Sequence, residues 1–409
     1  MTTNKPLGKT LAASILGLIA TVSTVNAGTI SDFNDSWAGR AAALQRLVDV
    51  HAPMSDNNIL GTHNTYNSEA YTACNLSVGC RYLDPQQKYN IKNQLKIGAR
   101  FIEIDVHWTT KMESLFSYPK RLLMCHGVCS INDKYFTEGL DEVKSWLDSS
   151  NSDNQVIILM VEDHMDGNHQ QAFDQINSRI GNWIYRSGGC GSIPRSATKA
   201  DILQAGKKVL LWGSGGCRSN SDWKNTAYTG LGRIGRVWED RTTLGTIANV
   251  IEGGSTDYIN SSDVREFFKQ GANIVNLDDM VTDDGRLKAS IWSWATNQPN
   301  DLGNGQDCGS MRYDGRWNDD YCSTYFHHAC KGESNGDWAL SADVGNWSQG
   351  QSACQALGNQ YHFAVPTNSK DNAVLSEVRD NANIERIWLN LDDRTTEGVW
   401  YIEGQSPLF

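Results

Sequence analysis

The stretch that decides the fold is Arg100-Phe101-Ile102-Glu103-Ile104-Asp105-Val106-His107-Trp108, an apolar run with ionisable side chains toward its end. Three other stretches share an apolar body and a polar end: Leu60-Gly61-Thr62-His63-Asn64-Thr65-Tyr66, Leu123-Met124-Cys125-His126-Gly127 and Val156-Ile157-Ile158-Leu159-Met160-Val161-Glu162-Asp163-His164. A buried strand with a reactive C-terminal tip is typical of a barrel that presents an active site. Histidines suit acid–base work at neutral pH, and carboxylates with an amide suit a hard cation. The sequence therefore predicts an enzyme.

Short apolar strands alternate with helical stretches from residue 28 to about residue 295. The predicted strands are 58–61, 99–106, 122–125, 155–161, 207–212 and 273–277, and the predicted helices are 137–148, 170–184 and 262–270. This alternation predicts an α/β fold with one parallel (β/α) barrel of the TIM type. A doubly wound sheet is the alternative, but ionisable residues at the ends of several strands favour a barrel, because a barrel brings them to one mouth.

Bulk properties narrow the class of protein. The net charge of −11 and the pI near 5.3 argue against nucleic-acid binding and against broad adhesion to anionic membranes. Lys5 and Lys9 precede the apolar run 11–25 and the small-residue site Val25-Asn26-Ala27, which predicts a secreted protein with a signal peptide over 1–27. A membrane anchor is the alternative, but the run is short and diluted by Thr and Ser. The remaining length predicts two domains, 28–296 and 297–409.

The ten cysteines of an exported chain indicate disulfides. None has the Cys-x-x-Cys spacing of a zinc site. Local pairs are expected for Cys74–Cys80 and Cys125–Cys129, and a longer one for Cys190–Cys217, although spacing does not fix the connectivity. A bridge between Cys125 and Cys129 would stiffen the loop that carries His126.

Glu103 and Asp105 are two residues apart on a strand and therefore point to the same face. Two buried carboxylates repel each other, so a cation should lie between or beside them. That cation is either a basic side chain, for which Arg100 is a candidate, or a divalent metal ion. The histidines at positions 107, 164, 169, 327, 328 and 362 have no setting comparable to those of His63 and His126.

These segments resemble the X region of phosphatidylinositol-specific phospholipases C over roughly residues 50–295. The resemblance is carried, in order, by His63-Asn64, Glu103-x-Asp105, His126-Gly127, Glu162 and the late strand 271–277. The carboxylate at Asp105 matches the metal-dependent members, because metal-independent bacterial relatives place an Arg near this position. The runner-up on the same barrel is a glycerophosphodiester or sphingolipid phosphodiesterase, although the His-Arg-Gly start of the former is absent.

The resemblance implies a mechanism and a set of site residues. Calcium would be held by Asn64, Glu103, Asp105 and Glu162, and Glu103 could also take the proton of the attacking inositol 2-hydroxyl. The catalytic histidines His63 and His126 would stabilise the phosphorane and protonate the leaving glycerol oxygen. The partner would be an inositol phospholipid in membranes or vesicles, cleaved to diacylglycerol and an inositol cyclic phosphate.

One departure bears on the substrate. In the phosphoinositide enzymes, lysines on the strand that matches 207–213 hold extra ring phosphates. Here Trp212 replaces one of them, and Lys208 matches the other. Plain or glycosylated phosphatidylinositol is therefore expected rather than a polyphosphorylated headgroup. Tyr258 is the candidate for stacking on the inositol ring.

The residues after 296 resemble a C-type lectin-like domain. The resemblance is carried by Gln298-Pro299-Asn300, Gln306-Asp307-Cys308, Trp317-Asn318-Asp319, 347–354, 388–391 and 397–400. The half that normally ends the domain comes first, which indicates a circular permutation; two incomplete copies are the alternative. The family's bridges would be Cys308–Cys322 and Cys330–Cys354.

The lectin-like resemblance also implies a ligand site. Its candidate residues are Gln298, Asn300, Asn318 and Asp319. Acids are often found where Gln298 stands, so this set fits a module without metal at least as well as a second calcium site. The module would bind a carbohydrate or a cell-surface protein. An adhesin with an inactive barrel is the rival from another class, but a complete set of catalytic residue types argues against it.

Overall fold

The computed structural model describes residues 25–71, 85–127, 129–232, 234–240, 255–256, 258–334 and 336–404. The α-helices are α1 (Val25–Asp35), α2 (Trp37–Val48), α3 (Ile91–Lys96), α4 (Phe136–Leu147), α5 (His169–Ile180), α6 (Lys199–Gln204), α7 (Ser221–Thr226), α8 (Ser261–Gln270), α9 (Gly285–Ala289), α10 (Gly350–Gln355) and α11 (Ser369–Asn381). The strands are β1 (Ile59–Thr62), β2 (Phe101–Thr110), β3 (Lys120–Met124), β4 (Ile157–His164), β5 (Val209–Gly213), β6 (Arg236–Glu239), β7 (Ser255–Thr256), β8 (Ile274–Leu277), β9 (Cys308–Met311), β10 (Trp317–Asp320), β11 (His327–Gly332), β12 (Trp338–Leu340), β13 (Tyr361–Phe363) and β14 (Ile387–Asp392). The predicted signal peptide lies almost wholly outside the described residues.

Seven parallel strands form the larger sheet in the spatial order β5-β4-β2-β1-β8-β6-β7. The first strand, β1, therefore has β2 on one side and the last strand, β8, on the other. First and last strands meet in a (β/α) barrel, whereas a doubly wound sheet runs outward from its first strand in both directions. The predicted α/β fold with a TIM-type barrel is confirmed.

The strand predicted at 122–125 exists as β3, but it is not one of the parallel barrel strands. It runs antiparallel to the outer half of β2, with Lys120 opposite Thr110. The connection over 111–119 is too short for the crossover that a parallel pair needs. As a result, β3 returns from the end of β2, and the backbone N–H of Cys125 donates to the carbonyl of Asp105 at 3.3 Å. The hairpin thus brings the loop of His126 to the strand that carries the carboxylates.

The barrel interior is apolar below the site. It is filled by residues of one buried cluster that includes Ile59, Phe101, Ile158, Leu210 and Ile274. Because side chains alternate along a strand, Glu103 and Asp105 face the same interior as Phe101, one and two layers higher. Gly61 of β1 allows this close approach, since a Cβ there would lie 2.7 Å from both Asn276 Oδ1 and Phe101 Cβ.

The C-terminal domain is built on a six-stranded sheet in the order β10-β9-β14-β11-β12, with β13 paired to β11. The helices α10 and α11 belong to this domain. Four expected disulfides are confirmed: Cys125–Cys129, Cys190–Cys217, Cys308–Cys322 and Cys330–Cys354. The pair Cys74–Cys80 lies outside the described residues. The lectin-like character of this domain and its permuted order stay predictions.

Barrel and C-terminal domain pack through tryptophans. The ring centroid of Trp294 lies 5.9 Å from that of Trp317 and 4.7 Å from that of Trp400. These residues belong to one buried cluster that also contains barrel residues, so the two parts share a continuous core. The boundary at 296 stays a prediction. Among the described residues, no helix has the length and apolarity needed to cross a bilayer.

Candidate active site

Three carboxylates meet at the carboxyl end of the barrel. Glu103 and Asp105 project from β2, and Glu162 of β4 lies beside Asp105 in the strand register. One oxygen from each of the three falls within 4.8 Å of the others; we call this group the barrel cluster. Glu103 and Asp105 are each 3% exposed. Burial and the charges of Glu162 and Glu103 raise the pKa of Asp105 well above its usual value, even though the Tyr66 hydroxyl donates to Asp105 at 2.9 Å.

A basic side chain does pair with this cluster, but it is not the predicted one. Arg236 of β6 reaches across the interior and forms an ion pair with Glu103. Arg100 instead donates to the carbonyls of Leu95 and Ala99, at 2.7 and 2.8 Å. Alternation explains the error, because Arg100 and Glu103 are separated by an odd number of positions and face opposite sides of the strand. Three ionised carboxylates and one guanidinium leave two negative charges, which one divalent cation would balance.

Asn64 lies beside Asp105, where its amide oxygen would ligate a cation. Its amide nitrogen donates to Gln86 Oε1 at 2.7 Å, and Gln86 Nε2 donates to Asp240 Oδ1 at 3.3 Å. The amide oxygen of Asn64 then faces the two carboxylate oxygens of Asp105 at 3.2 and 3.3 Å. Reversing the amide would turn its oxygen toward Gln86 Oε1, and reversing Gln86 as well would turn an oxygen toward Asp240. A cation between Asn64 and Asp105, or a proton on Asp105, removes the conflict, so the residues present fit a metal ion.

His63 is held on several sides at the end of β1. Its Nδ1 lies 3.2 Å from Asp278 Oδ1, and its backbone N–H donates to the carbonyl of Leu277. Gln87 donates to the backbone carbonyl of His63 at 2.7 Å. Burial lowers the pKa of His63, but the hydrogen bond and charge of Asp278, with Glu103, outweigh it and raise that pKa. The histidine and Asp278 form a dyad that can hold a proton next to the barrel cluster.

His126 is held differently. It follows β3 inside the short loop closed by the Cys125–Cys129 disulfide. Among the described residues, none forms a hydrogen bond with His126. Burial lowers the pKa of His126, and the charge of His63 lowers it further. Opposite pKa shifts in two neighbouring histidines suit one proton donor and one acceptor.

The two predicted substrate-binding residues are placed differently. Lys208 precedes β5 and therefore lies at the amino end of the sheet, where its ammonium donates to Ser152 at 2.9 Å. The structure does not bring Lys208 to the site. Tyr258 follows β7 at the carboxyl end; its ring is half exposed and lies 5.7 Å from the guanidinium of Arg286. Arg286 also donates to the backbone carbonyl of Asp278, so Tyr258 stays within reach of the mouth.

Sequence reasoning missed several residues of the site, namely Gln86, His164, Arg236, Asp240 and Asp278. Asp278 directly follows β8, so the same rule that found the other strand-end residues could have found it. His164 shares a face with Glu162 and lies 2.9 Å from its Oε1, with the His107 ring stacked on the far side at 4.3 Å. Gln86 and Asp240 lie in irregular segments and carry no comparable pattern.

A second group of carboxylates lies in the C-terminal domain. Oxygens of Asp301, Asp307 and Glu397 fall within 4.8 Å of one another, and we call this group the tail cluster. Of the predicted lectin-site residues, Asp319 accepts from the backbone N–H groups of Asn300 and Asp301 at 2.7 and 2.6 Å.

Buried oxygens beside the tail cluster lack partners. Asp319 Oδ1, Gln298 Oε1 and Asp393 Oδ1 are buried and accept no hydrogen bond from the part of the chain that the structure describes. Burial, with the charge of Glu397, raises the pKa of Asp393 to about 7. Asn318 instead donates to the backbone carbonyl of Asp319. The structure therefore shifts the candidate ligands from the predicted amides toward carboxylates.

Fold and site together define a class, the phosphodiesterases built on a (β/α) barrel. The family described as the Rv2075c PI-PLC-like domain matches residues 18–228, just over half of the chain, and the chain belongs to this family. The matched range contains the barrel cluster and both histidines. Arg236 and Asp278 lie beyond it.

Two curated relatives carry names without a stated activity. "Uncharacterized protein Rv2075c" of Mycobacterium tuberculosis (strain ATCC 25618 / H37Rv) is 26% identical over 392 residues, covering 84% of this chain and 77% of the relative. "Uncharacterized protein MT2135" of Mycobacterium tuberculosis (strain CDC 1551 / Oshkosh) has the same values.

Two solved bacterial structures superpose loosely. The phosphatidylinositol-specific phospholipase C of Listeria monocytogenes has 14% identity and a TM-score of 0.36, covering 60% of this chain and 98% of its own. That of S. aureus has 13% identity and a TM-score of 0.36, covering 63% and 98%. The assignment of the fold rests on the strand order described above.

Proposed function

We propose that the chain is a secreted, calcium-dependent phosphatidylinositol-specific phospholipase C. The observation that carries the proposal is the convergence of the barrel cluster, the Asn64 oxygen, the His63–Asp278 dyad and His126 at one barrel mouth. Each part suits cleavage of a phosphodiester with an internal hydroxyl nucleophile. Four disulfides among the described residues support an oxidising, extracellular setting.

The chain's own groups have separate roles in this proposal. Asn64, Glu103, Asp105 and Glu162 would hold the calcium ion, which when bound supplies positive charge to the phosphate and lowers the pKa of the inositol 2-hydroxyl. Glu103 is the candidate acceptor of that hydroxyl proton, with Arg236 keeping Glu103 in place. His63 and His126 would stabilise the charged phosphorane and deliver a proton to the glycerol oxygen. The products would be diacylglycerol and an inositol cyclic phosphate.

The structure bears on the choice of headgroup. Lys208 lies at the wrong end of the barrel to contact a ring phosphate, and Trp212 has no positive charge. Plain or glycosylated phosphatidylinositol therefore remains the proposed substrate, with Tyr258 as the candidate stacking residue. A glycerophosphodiester or sphingolipid substrate is the second candidate on the same site.

The C-terminal domain is proposed to bind a surface carbohydrate or protein rather than to take part in the chemistry. A second calcium ion there would be held by the tail cluster with Asp319 and Asp393, each of which has one buried oxygen, Oδ1, without a hydrogen bond from a described residue. This carboxylate set suits calcium better than the amide-rich set predicted from the sequence.

The deciding experiment compares the release of the water-soluble headgroup phosphate from three kinds of vesicle, with calcium and with chelator: inositol phosphates from phosphatidylinositol, and phosphocholine from phosphatidylcholine or sphingomyelin. Activity should require the inositol lipid, vanish with chelator and return with calcium. Asp105→Asn should need far more calcium for the same rate, because it removes a charged ligand but keeps the size of the side chain. Asp301→Asn is the matched control in the tail cluster and should behave as the unaltered chain. Full activity after exhaustive chelation would refute the metal assignment, and preference for another lipid would refute the headgroup assignment.

A further inference from the structure

A cavity of about 770 Å³ opens where the barrel meets the C-terminal domain, and none of the barrel-cluster residues or catalytic histidines lines it. Its walls come from the first residues of α2, from α8 and α9, and from the turn between β9 and β10. Trp37 and Trp294 supply flat apolar surface. A neighbouring cavity of about 590 Å³ shares Arg265, Asp314 and Arg316 with it. We call the larger one the basic cavity.

The charge of the basic cavity is opposite to that of the chain. The protein as a whole carries a net charge of −11. The cavity is lined by four basic side chains, Arg265, Lys288, Arg312 and Arg316, against one acid, Asp314. Positive charge is thus concentrated in a concave place on an acidic molecule, which attracts anions over the surrounding surface.

Most of this positive charge is not neutralised by the protein. Arg312 lies 3.5 Å from Asp314. Among the described residues, none forms an ion pair with Arg265, Lys288 or Arg316; Arg316 donates to the backbone carbonyl of Ile291. Burial lowers the pKa of Arg316, and the charge of Arg265 lowers it further, so the two guanidinium groups are close enough to repel.

Arg265 and Arg316 line the same cavity, and neither is held in an ion pair with a described residue. They match the oxygen pairs of a phosphate or sulfate group, because a planar guanidinium donates two parallel hydrogen bonds to such a group. Lys288 adds a mobile point charge at the rim. We propose that the basic cavity is a binding site for a phosphate- or sulfate-bearing ligand, separate from the proposed catalytic function.

The test measures binding of inorganic pyrophosphate to the full chain by calorimetry, in chelator so that no calcium takes part. The test variant is Arg265→Ser with Lys288→Ser, which spares the arginine that bonds to Ile291. Its matched control is Arg195→Ser with Lys120→Ser, two exposed basic residues outside the cavity with the same change of charge. The test pair should weaken binding about tenfold or more, and the control less than about twofold.

A second arm distinguishes a lipid headgroup from a free anion. Sedimentation with phosphatidylcholine vesicles, with and without phosphatidic acid, should show binding that depends on Arg265 and Lys288 if the source is a headgroup. Binding of pyrophosphate without vesicle binding would indicate a free anion. Both variants should keep normal turnover of a soluble inositol phosphodiester, which shows that they are folded and leaves the catalytic proposal untouched. Equal weakening in both pairs, or no saturable binding in either arm, would overturn the site.

Discussion

The barrel cluster and the tail cluster are made of the same chemical groups, and their surroundings differ. Each has three carboxylate oxygens within 4.8 Å. The barrel cluster has Arg236 on one carboxylate and two histidines with shifted pKa values close by. The tail cluster is accompanied by further carboxyl and amide oxygens, those of Asp319, Asp393 and Gln298.

This difference teaches that a cluster of carboxylate oxygens predicts a bound cation but does not by itself predict catalysis. Acid–base catalysis needs a proton donor and a proton acceptor side by side, and His63 and His126, whose pKa values shift in opposite directions, supply such a pair beside the barrel cluster. The tail cluster offers a place to hold a cation, and the domain around it offers a binding surface. The proposed division of roles, catalysis in the barrel and binding in the C-terminal domain, rests on the neighbours of each cluster.

The largest effect is expected from the histidines. His63→Ala and His126→Ala should each lower kcat on an inositol lipid by about two to four orders of magnitude, because each removes a proton carrier or a stabiliser of the phosphorane. Turnover of purified variants is the measurement, with circular dichroism as the check on folding. His328→Ala, in the C-terminal domain, is the control and should leave kcat unchanged. A His63 or His126 variant with near-native kcat would make that histidine structural.

The next effect concerns the charge inside the barrel. Arg236→Met should destabilise the fold by about 3–5 kcal/mol at most, because it leaves Glu103 buried without its partner. Adding Glu103→Gln to Arg236→Met should restore much of the lost free energy of unfolding, and urea titration measures both. Calcium should also stabilise the single variant if the barrel cluster binds it. If the Arg236→Met variant unfolds at the same urea concentration as the unaltered chain, the counter-charge on Glu103 does not distinguish the barrel cluster from the tail cluster.

A smaller effect on kcat is expected from removing a disulfide, and it should differ between the barrel and the C-terminal domain. Cys125→Ser with Cys129→Ser opens the loop of His126, whose side chain forms no hydrogen bond with a described residue. The loop is short, so the loss of stability should be about 2 kcal/mol. The value of kcat should nevertheless fall about tenfold, because the imidazole loses its position.

The matched pair in the C-terminal domain is Cys308→Ser with Cys322→Ser. Its longer loop should cost about 3 kcal/mol of stability while kcat stays unchanged. Melting curves and turnover of a soluble substrate give both quantities. Equal kcat in the two double variants would show that His126 does not depend on its disulfide.

The smallest effect is expected in the tail cluster. Asp301→Asn with Asp307→Asn should leave kcat unchanged and abolish part of the stabilisation by calcium, a shift in Tm of roughly 2–4 °C. Calorimetric scans with and without calcium measure it. A calcium response as large as that of the unaltered chain would remove the second cation site.

Much of the barrel could be predicted because its strands can be recognised from the local sequence pattern. Runs such as 155–161 are apolar along their length and end in ionisable residues, so both the strand and its functional end can be recognised. The same rule explains an avoidable error. Lys208 precedes its strand, and residues before a parallel strand lie at the end opposite the mouth.

Other contacts of the site have no signal in the local sequence pattern. Arg236 meets Glu103 from the far side of the barrel, and Gln86 links Asn64 to Asp240 through loops. Such contacts join residues far apart in the chain, and no local period encodes them. The antiparallel course of β3 was missed for a related reason, since an apolar run looks the same in both directions.

The sequence by itself determined the class of fold and, as candidates, both histidines and the three carboxylates of the barrel cluster. Local periodicity and residue chemistry suffice for these, because strand alternation fixes which side chains share a face. The tertiary structure decided the counter-charge at Glu103, the orientation of the Asn64 oxygen, the carboxylates of the tail cluster and the basic cavity. These features depend on distances across the core and between the domains, which are set only once the chain has folded.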